Sequence, residues 1–287
     1  MSDQFIPTAQ SWLLENSNLG ASQRNAMAAL CPALMKALPV SVTGTLPTLV
    51  SIAGPPGSGK STLAKMLAAV LAKSGRSCQL VSLDDYYLPR AERQQLCARV
   101  HPLCAVRGVP GTHDLPLLLA HLDLLLSGSA APLSMPQFDK ASDDRRQQPQ
   151  VCRFEKPLDY ILLEGWVCGM PPQSEAALLQ PLNALESSED HDLVWRRWVN
   201  LNAQKYHQAL EQRTSSRWYL QAPHWCSVID WRWQQEQELA QPALKTRQDV
   251  ATFLAHFQRL VQHMQHTADN WADLIIPLND AHCATIP

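Results

Sequence analysis

The stretch SIAGPPGSGKSTLA, Ser51 to Ala64, constrains the fold more than any other part of the sequence. Residues 54–61 read G-x-x-x-x-G-K-[ST] in full. The β-rich run TLVSIAG (48–54) precedes them, and an alanine- and leucine-rich helical run (61–75) follows and ends at Gly75. Glycines in such a loop let backbone N–H groups turn inward around phosphate oxygens, and the helix N-terminus adds partial positive charge. The reading is a nucleotide-binding loop made of Gly54, Pro55, Pro56, Gly57, Ser58, Gly59, Lys60, Ser61 and Thr62. Lys60 would reach the β- and γ-phosphates of ATP, and the Ser61 hydroxyl would hold Mg²⁺.

Further strands are expected around that unit. CQLVSLDD (78–85), DYILLEGW (159–166), residues 216–221 and DLIIPLN (273–279) have strand character. Helical spacing covers 8–38, closed by Pro39, and recurs at 115–126, 193–213, 230–240 and about 246–268. Residues 170–192, dense in Pro, Gln, Ser and Glu, read as an exposed loop. Strands alternating with helices imply an α/β fold of three layers around a mostly parallel sheet, with residues 1–45 a helical N-terminal extension ahead of one domain over 46–287. Ligands of such sheets bind at the carboxyl ends of the strands, so the glycine loop, Asp84 and Glu164 are expected to converge.

Two carboxylates beside a phosphate loop divide the chemistry of transfer: one orients or deprotonates an acceptor hydroxyl, the other holds the Mg²⁺ shell. Asp84 and Glu164 are assigned to that pair, with Asp84 able to touch the metal as well; Asp85 serves equally well as a helix N-cap. The formal net charge of −2 provides no global basic field for nucleic acid, so an anionic substrate has to be met by a few placed cations. The most apolar run, LPLLLAHLDLLL (115–126), is too short to span a bilayer, and no membrane association is expected. Eight cysteines without a CxxC pair, behind an N-terminus with no secretory signal, read as reduced thiols of a cytoplasmic protein. His256, His263 and His266 share one helix but lack a nearby carboxylate to complete a metal site, and the late tryptophans read as core. The GTPase signatures Asn-Lys-x-Asp and Asp-x-x-Gly do not occur. The sequence sets no oligomeric state.

After the glycine loop come, in order, SLDDYYL, RGVPGTHD (107–114), MPQFDKASDDR (135–145), DYILLEGW and WRWQQE (231–236). In this order they resemble the D-glycerate 3-kinase family of fungi and plants and its bacterial relatives, a branch of the P-loop kinases that include pantothenate kinase, uridine kinase and phosphoribulokinase. The resemblance covers about residues 48–280 and implies a P-loop kinase fold with ATP-dependent phosphorylation of a small hydroxy acid, D-glycerate being the type substrate.

Carried over by position, the resemblance makes Asp84 the base and places Glu164 near Mg²⁺. Tyr86 falls in the Asp-Asp-[FY]-Tyr motif on the substrate side. Arg107, His113 and Asp114 match a substrate loop, and Lys140 and Arg145 match the [FY]-[DN]-Lys and Asp-Arg positions. Arg232 and Glu236 lie on a lid helix, within a lid region of about 193–240, and Lys60 and Arg232 would stabilise charge during transfer; Asn202 and Tyr206 match a looser pattern. Ser142-Asp143 stand where many relatives carry glycines, and Pro110 stiffens the Arg-Gly loop. The same residues leave open a kinase for pantothenate or a nucleoside, or a regulatory ATPase with no acceptor.

Overall fold

In the computed structural model, which describes residues 4–40, 46–238 and 244–285, five parallel strands form the central sheet. The chain starts with helices α1 (Phe5–Asn16), α2 (Ala21–Ala29) and α3 (Cys31–Ala37), then runs through β1 (Thr48–Ala53) into α4 (Lys60–Lys73). Next are β2 (Cys78–Ser82), a 3₁₀ turn (Leu83–Tyr86), α5 (Arg90–Arg99) and α6 (Leu115–Leu126). Two nested antiparallel pairs follow. The outer one joins β3 (Leu133–Met135) to β6 (Gln150–Cys152), and the inner one joins β4 (Phe138–Asp139) to β5 (Asp144–Arg145). The remainder comprises β7 (Tyr160–Glu164), α7 (Glu175–Leu178), α8 (Ala184–Glu189), α9 (Val194–Glu211), β8 (Ser216–Gln221), α10 (Trp225–Gln237), α11 (Arg247–Trp271) and β9 (Leu274–Pro277).

The sheet order is β2-β7-β1-β8-β9. β7 is buried throughout and β1 from its second residue onward, as parallel strands covered by helices must be. The register pairs Glu164 with Ile52 on one side and with Ser82 on the other. The loop after β1, the acid that ends β7 and the turn after β2 therefore lie at one edge of the sheet. α4 packs over β1, β2 and β7, with α1 outside it. The α/β fold expected from the motif order is the one observed.

Several boundaries differ from the sequence reading. The single helical run over 8–38 is three helices, because Ser17–Gly20 and Leu30 break the spacing. β2 stops at Ser82, so Asp84 sits in a 3₁₀ turn rather than on a strand end. α10 begins at Trp225, five residues before the expected start, and the expected end at 239–240 lies outside the described residues. β8, inside the range expected for a lid, is a member of the central sheet.

Residues 170–192 are not a plain loop. α7 and α8 are pinned there by buried charge: both Glu186 carboxylate oxygens accept from Arg259, at 2.8 and 2.6 Å, and Arg196 donates to Asp190 at 2.8 Å. Each carboxylate also accepts backbone N–H bonds, from Leu182 to Glu186 and from Trp195 and Arg196 to Asp190, which satisfies the lone pairs the arginines leave over.

Candidate active site

The loop between β1 and α4 has the conformation its glycines permit. Gly57 and Gly59 have φ of 82° and 86°, which L side chains rarely adopt, and Gly59 is also the N-cap residue of α4. At Gly54 a Cβ would come within 2.7 Å of the Ser58 hydroxyl, so the cradle closes only around a bare backbone. The Ser58 hydroxyl is buried without a hydrogen-bond partner among the described residues. Lys60 and Ser61 open α4, where helix partial charge and free N–H groups favour an anion. A cradle that a Cβ at Gly54 or Gly57 would crowd, at the N-terminus of a 14-residue helix, fits a nucleoside triphosphate.

Glu164 is 5% exposed and its Oε1 accepts from the Ser82 hydroxyl at 2.6 Å, which fixes the carboxylate at the ends of β7 and β2. Asp84 stands in the turn beyond β2. Its Oδ2 pairs with Lys140 at 2.6 Å and its Oδ1 accepts from the Tyr87 hydroxyl at 2.8 Å. Burial by itself would raise the Asp84 pKa, but Lys140 and Lys60, with the hydrogen bonds from Lys140 and Tyr87, outweigh it and hold the carboxyl well below the usual range. The register that sets Glu164 between Ile52 and Ser82 brings the phosphate loop after β1 and this turn after β2 to neighbouring strand ends. Hard oxygen donors from Ser61, Asp84 and Glu164 are the set that Mg²⁺ prefers.

Tyr86 is a correction. Its hydroxyl lies 3.0 Å from Nδ1 of His121 on α6, away from Asp84, and it is Tyr87 that reaches the carboxylate. Asp85 accepts from the backbone N–H of Phe138 at 3.0 Å and so anchors β4 rather than capping a helix. Asp114 caps α6 by accepting from Leu117 N–H at 3.1 Å and pairs with Arg145, which also donates to the carbonyls of Tyr86 and Tyr87. The structure thus places Asp114 and Arg145 as a brace between α6, the turn and β5.

The segment 107–113 is a tight turn in which Thr112 Oγ accepts from Gly108 N–H at 2.9 Å and donates to Val109 O at 2.7 Å. Trp166 donates to Gly108 O at 2.7 Å. Gly111 has φ 97°, and a Cβ there would lie 2.3 Å from Trp198 Cη2. Gly111→Ala is expected to cost about 1–3 kcal/mol in backbone strain and more through overpacking against Trp198, measured as a lower denaturant midpoint at unchanged m. A loss below about 0.5 kcal/mol, the size of an ordinary surface change, would contradict this loop geometry.

His113 is buried and stacked on Tyr87 with ring centroids 4.6 Å apart. The Tyr206 oxygen accepts from Gly111 N–H and lies 3.1 Å from His113 Nδ1, a hydrogen bond whose donor is set by the imidazole tautomer. His113 Nε2 is buried and has no partner among the described residues. Burial pushes the His113 pKa down to about 4, with Asp84 partly countering it. A neutral folded histidine whose unfolded pKa is about 6.5 contributes stability that is whole above that pH and lost as pH falls toward 4. In His113→Gln, the fall in unfolding free energy between pH 6.5 and 4 should be shallower than in wild type by up to about 1.4 kcal/mol per pH unit; equal slopes would contradict a buried neutral His113.

Arg107 pairs with Asp143 and lies over the Phe138 ring, 5.5 Å from its centroid. Arg232 on α10 pairs with the buried Glu236 one turn later. Arg107 is close enough to disfavour the charge of Arg232 and to favour ionisation of Tyr87, which brings the two arginines and the Asp84–Tyr87 pair into one neighbourhood. α10 itself leans on the loop: a Cβ on Gly57 would meet Trp231 Cβ at 3.1 Å and Arg232 N at 3.2 Å. His282 stacks on Trp231 at 4.1 Å between centroids.

The sequence reading gave no role to Tyr87, Asp143 or His282; Tyr87 carried a signal in sharing the motif of Asp84, and Asp143 in departing from the pattern the chain resembles. His263 Nε2 donates to Pro171 O at 3.0 Å, and Asn202 donates to Trp198 O at 2.8 Å, both structural contacts. All eight cysteines are free thiols, and no helix among the described residues is long and apolar enough to cross a membrane.

Comparison with known proteins agrees with this geometry. The family described as "Chromatin associated protein KTI12" matches residues 47–97, the phosphate loop, α4, β2 and most of α5. The chain is 33% identical over 221 residues to the uncharacterized kinase mug58 of Schizosaccharomyces pombe, which covers 74% of this chain and 78% of that protein. It is 27% identical over 199 residues to the chloroplastic D-glycerate 3-kinase of Arabidopsis thaliana, covering 66% of this chain but 41% of the plant protein. The solved structure of D-glycerate 3-kinase from Cryptococcus neoformans superposes with a TM-score of 0.64 at 22% identity, over 94% of this chain and 99% of that one, and thus shares the fold. Identical at a third of the aligned positions over most of the fission-yeast kinase, the chain belongs to the P-loop kinases, a group of ATP-dependent kinases.

Proposed function

We propose that this kinase transfers the γ-phosphoryl group of ATP to a hydroxyl of a small hydroxy acid, with D-glycerate to 3-phosphoglycerate the reaction best supported. The observation that carries it is Asp84, held ionised between Lys60, Lys140 and Tyr87 beside the phosphate loop, with Arg107 in the same neighbourhood. A regulatory ATPase needs neither an acceptor-facing acid nor a guanidinium for a carboxylate. The names of the plant and Cryptococcus relatives point to the same acceptor.

In this reading residues 54–62 hold the triphosphate, and Ser61 with Glu164 and Asp84 holds Mg²⁺. When bound, the metal neutralises charge on the β- and γ-phosphate oxygens. Asp84 accepts the hydrogen bond of the acceptor hydroxyl and points its oxygen at phosphorus. So acidic a carboxyl is a weak base, but the loose transition state of phosphoryl transfer asks for positioning more than for early proton removal. Lys140, whose side chain is 63% exposed, can leave Asp84 and follow the migrating charge. Lys60 and Arg232 face the charge on the equatorial oxygens, so the lid narrows to α10, the helix that rests on Gly57. The buried, unpartnered His113 Nε2 offers one hydrogen-bonding atom to the acceptor.

The test is ADP release from ATP–Mg²⁺ with D-glycerate, L-glycerate, pantothenate, uridine and simple sugars, against a no-acceptor control. A rise specific to D-glycerate is expected. A rise with another acceptor would discard the substrate and keep the transfer chemistry, and equal slow turnover throughout would discard the kinase reading of the site.

A further inference from the structure

The β4–β5 hairpin sets an internal carboxylate against the cation that the proposed reading gives to the acceptor. Its loop is shaped by Asp139, whose carboxylate accepts from Ala141 N–H at 3.2 Å and from the Ser142 hydroxyl at 2.8 Å. The chain then turns through Asp143 at φ 56°, a left-handed conformation that aspartate tolerates better than most residues.

That turn directs the Asp143 carboxylate onto two arginines of unequal character. Arg93 is buried, with 3% of its side chain exposed; it donates to Leu88 O, Ala105 O and Asp143 O and meets the Asp143 Oδ2 at 2.8 Å. Arg107 takes Oδ1 and has 27% of its side chain exposed. Arg93 is therefore the fixed anchor, with every edge of its guanidinium engaged. Arg107 is the exchangeable partner, lying over the Phe138 ring whose centroid is 5.0 Å from that of Tyr87. The rest of the hairpin braces this arrangement through Asp85 to Phe138 and Arg145 to Asp114.

We propose that Asp143 is a specificity-determining residue: its carboxylate competes with the carboxylate of the acceptor for Arg107 and so weakens the binding of anionic acceptors relative to neutral ones. The proposal rests on the reading of Arg107 as the acceptor's carboxylate site. If the acceptor displaces Asp143, it exchanges one ion pair for another; if it shares Arg107 with Asp143, it enters against a like charge. Both cases cost affinity that a bare guanidinium would not. A neutral acceptor meets neither cost.

The test is calorimetric titration of D-glycerate and of its neutral amide, D-glyceramide, into wild type, Asp143→Asn and Asp143→Gly, each saturated with Mg²⁺ and a non-hydrolysable ATP analogue. Asparagine and glycine both accept the left-handed turn, so the two variants keep the hairpin. D-glycerate is expected to bind both variants about threefold to fivefold more tightly than wild type, the scale of one partly exposed charge pair. D-glyceramide should be unchanged, and the gain should shrink as KCl is raised. Equal or weaker binding of D-glycerate to the variants, or no binding to any of the three proteins, would overturn the proposal. Turnover of D-glycerate by wild type is read separately. Tighter binding to the variants without wild-type turnover would sink the substrate and keep the competition at Arg107, whereas turnover with no gain in the variants would do the reverse.

Discussion

Asp84→Asn is expected to lower kcat by about 10²–10⁴-fold, the range of a positioned acid–base group. The Kd for the ATP analogue should change little by comparison. The asparagine is isosteric and keeps the Tyr87 contact, but it loses the charge that holds Lys140 and the acceptor hydroxyl. It also removes the ionised partner that Lys60 faces from the phosphate loop. A residue that merely fixed the 3₁₀ turn would behave in the opposite way, since stability would fall while turnover per folded molecule held. Comparing kcat, nucleotide Kd and thermal midpoint on one preparation separates the two roles. A variant with wild-type turnover would remove Asp84 from the reaction.

The second large effect is at Arg232. Arg232→Ala should lower kcat by about 10³-fold, the low end of what a transition-state arginine contributes in phosphoryl transfer. Alone this variant is hard to interpret, because Arg232 is the partner of Glu236, which is 1% exposed and whose Oε2 has no partner among the described residues. Stripping one partner from a buried ion pair costs about 3–5 kcal/mol, so the single variant should also be markedly destabilised. The double variant Arg232→Ala, Glu236→Gln removes the stranded charge. It should recover most of the stability and none of the rate. Recovery of rate together with stability would reduce Arg232 to a structural residue.

How far the site was legible depended on how local its chemistry is. The phosphate loop could be read outright, because its function rests on a contiguous backbone path whose glycines have no substitute at Gly54, Gly57 and Gly59. Glu164 could be placed from a strand end and Asp84 from the turn just past one, because a parallel sheet gathers those ends whatever the connections between them. The Tyr86–Tyr87 assignment went astray because a 3₁₀ turn rotates each successive side chain by about a third of a circle, and no strand alternation continued past Ser82. α7 and α8, of four and six residues, are too short to be stable by propensity. They are held by Arg259 and Arg196, which contact them from distant helices and leave no periodic trace. Asp143 stood out as a departure, but its role was hidden for the same reason. Its meaning comes from Arg93 and Arg107, which lie 50 and 36 residues away in sequence.

The most direct measurement is the fate of the γ-phosphoryl group, followed by ³¹P NMR in a reaction of wild-type protein, ATP, Mg²⁺ and D-glycerate, with the Asp84→Asn variant alongside. The account predicts one phosphate monoester of glycerate at its 3-position for each ADP formed, little inorganic phosphate, and loss of the ester signal in the variant. ADP accompanied by inorganic phosphate alone, at the same rate with and without D-glycerate, would contradict it.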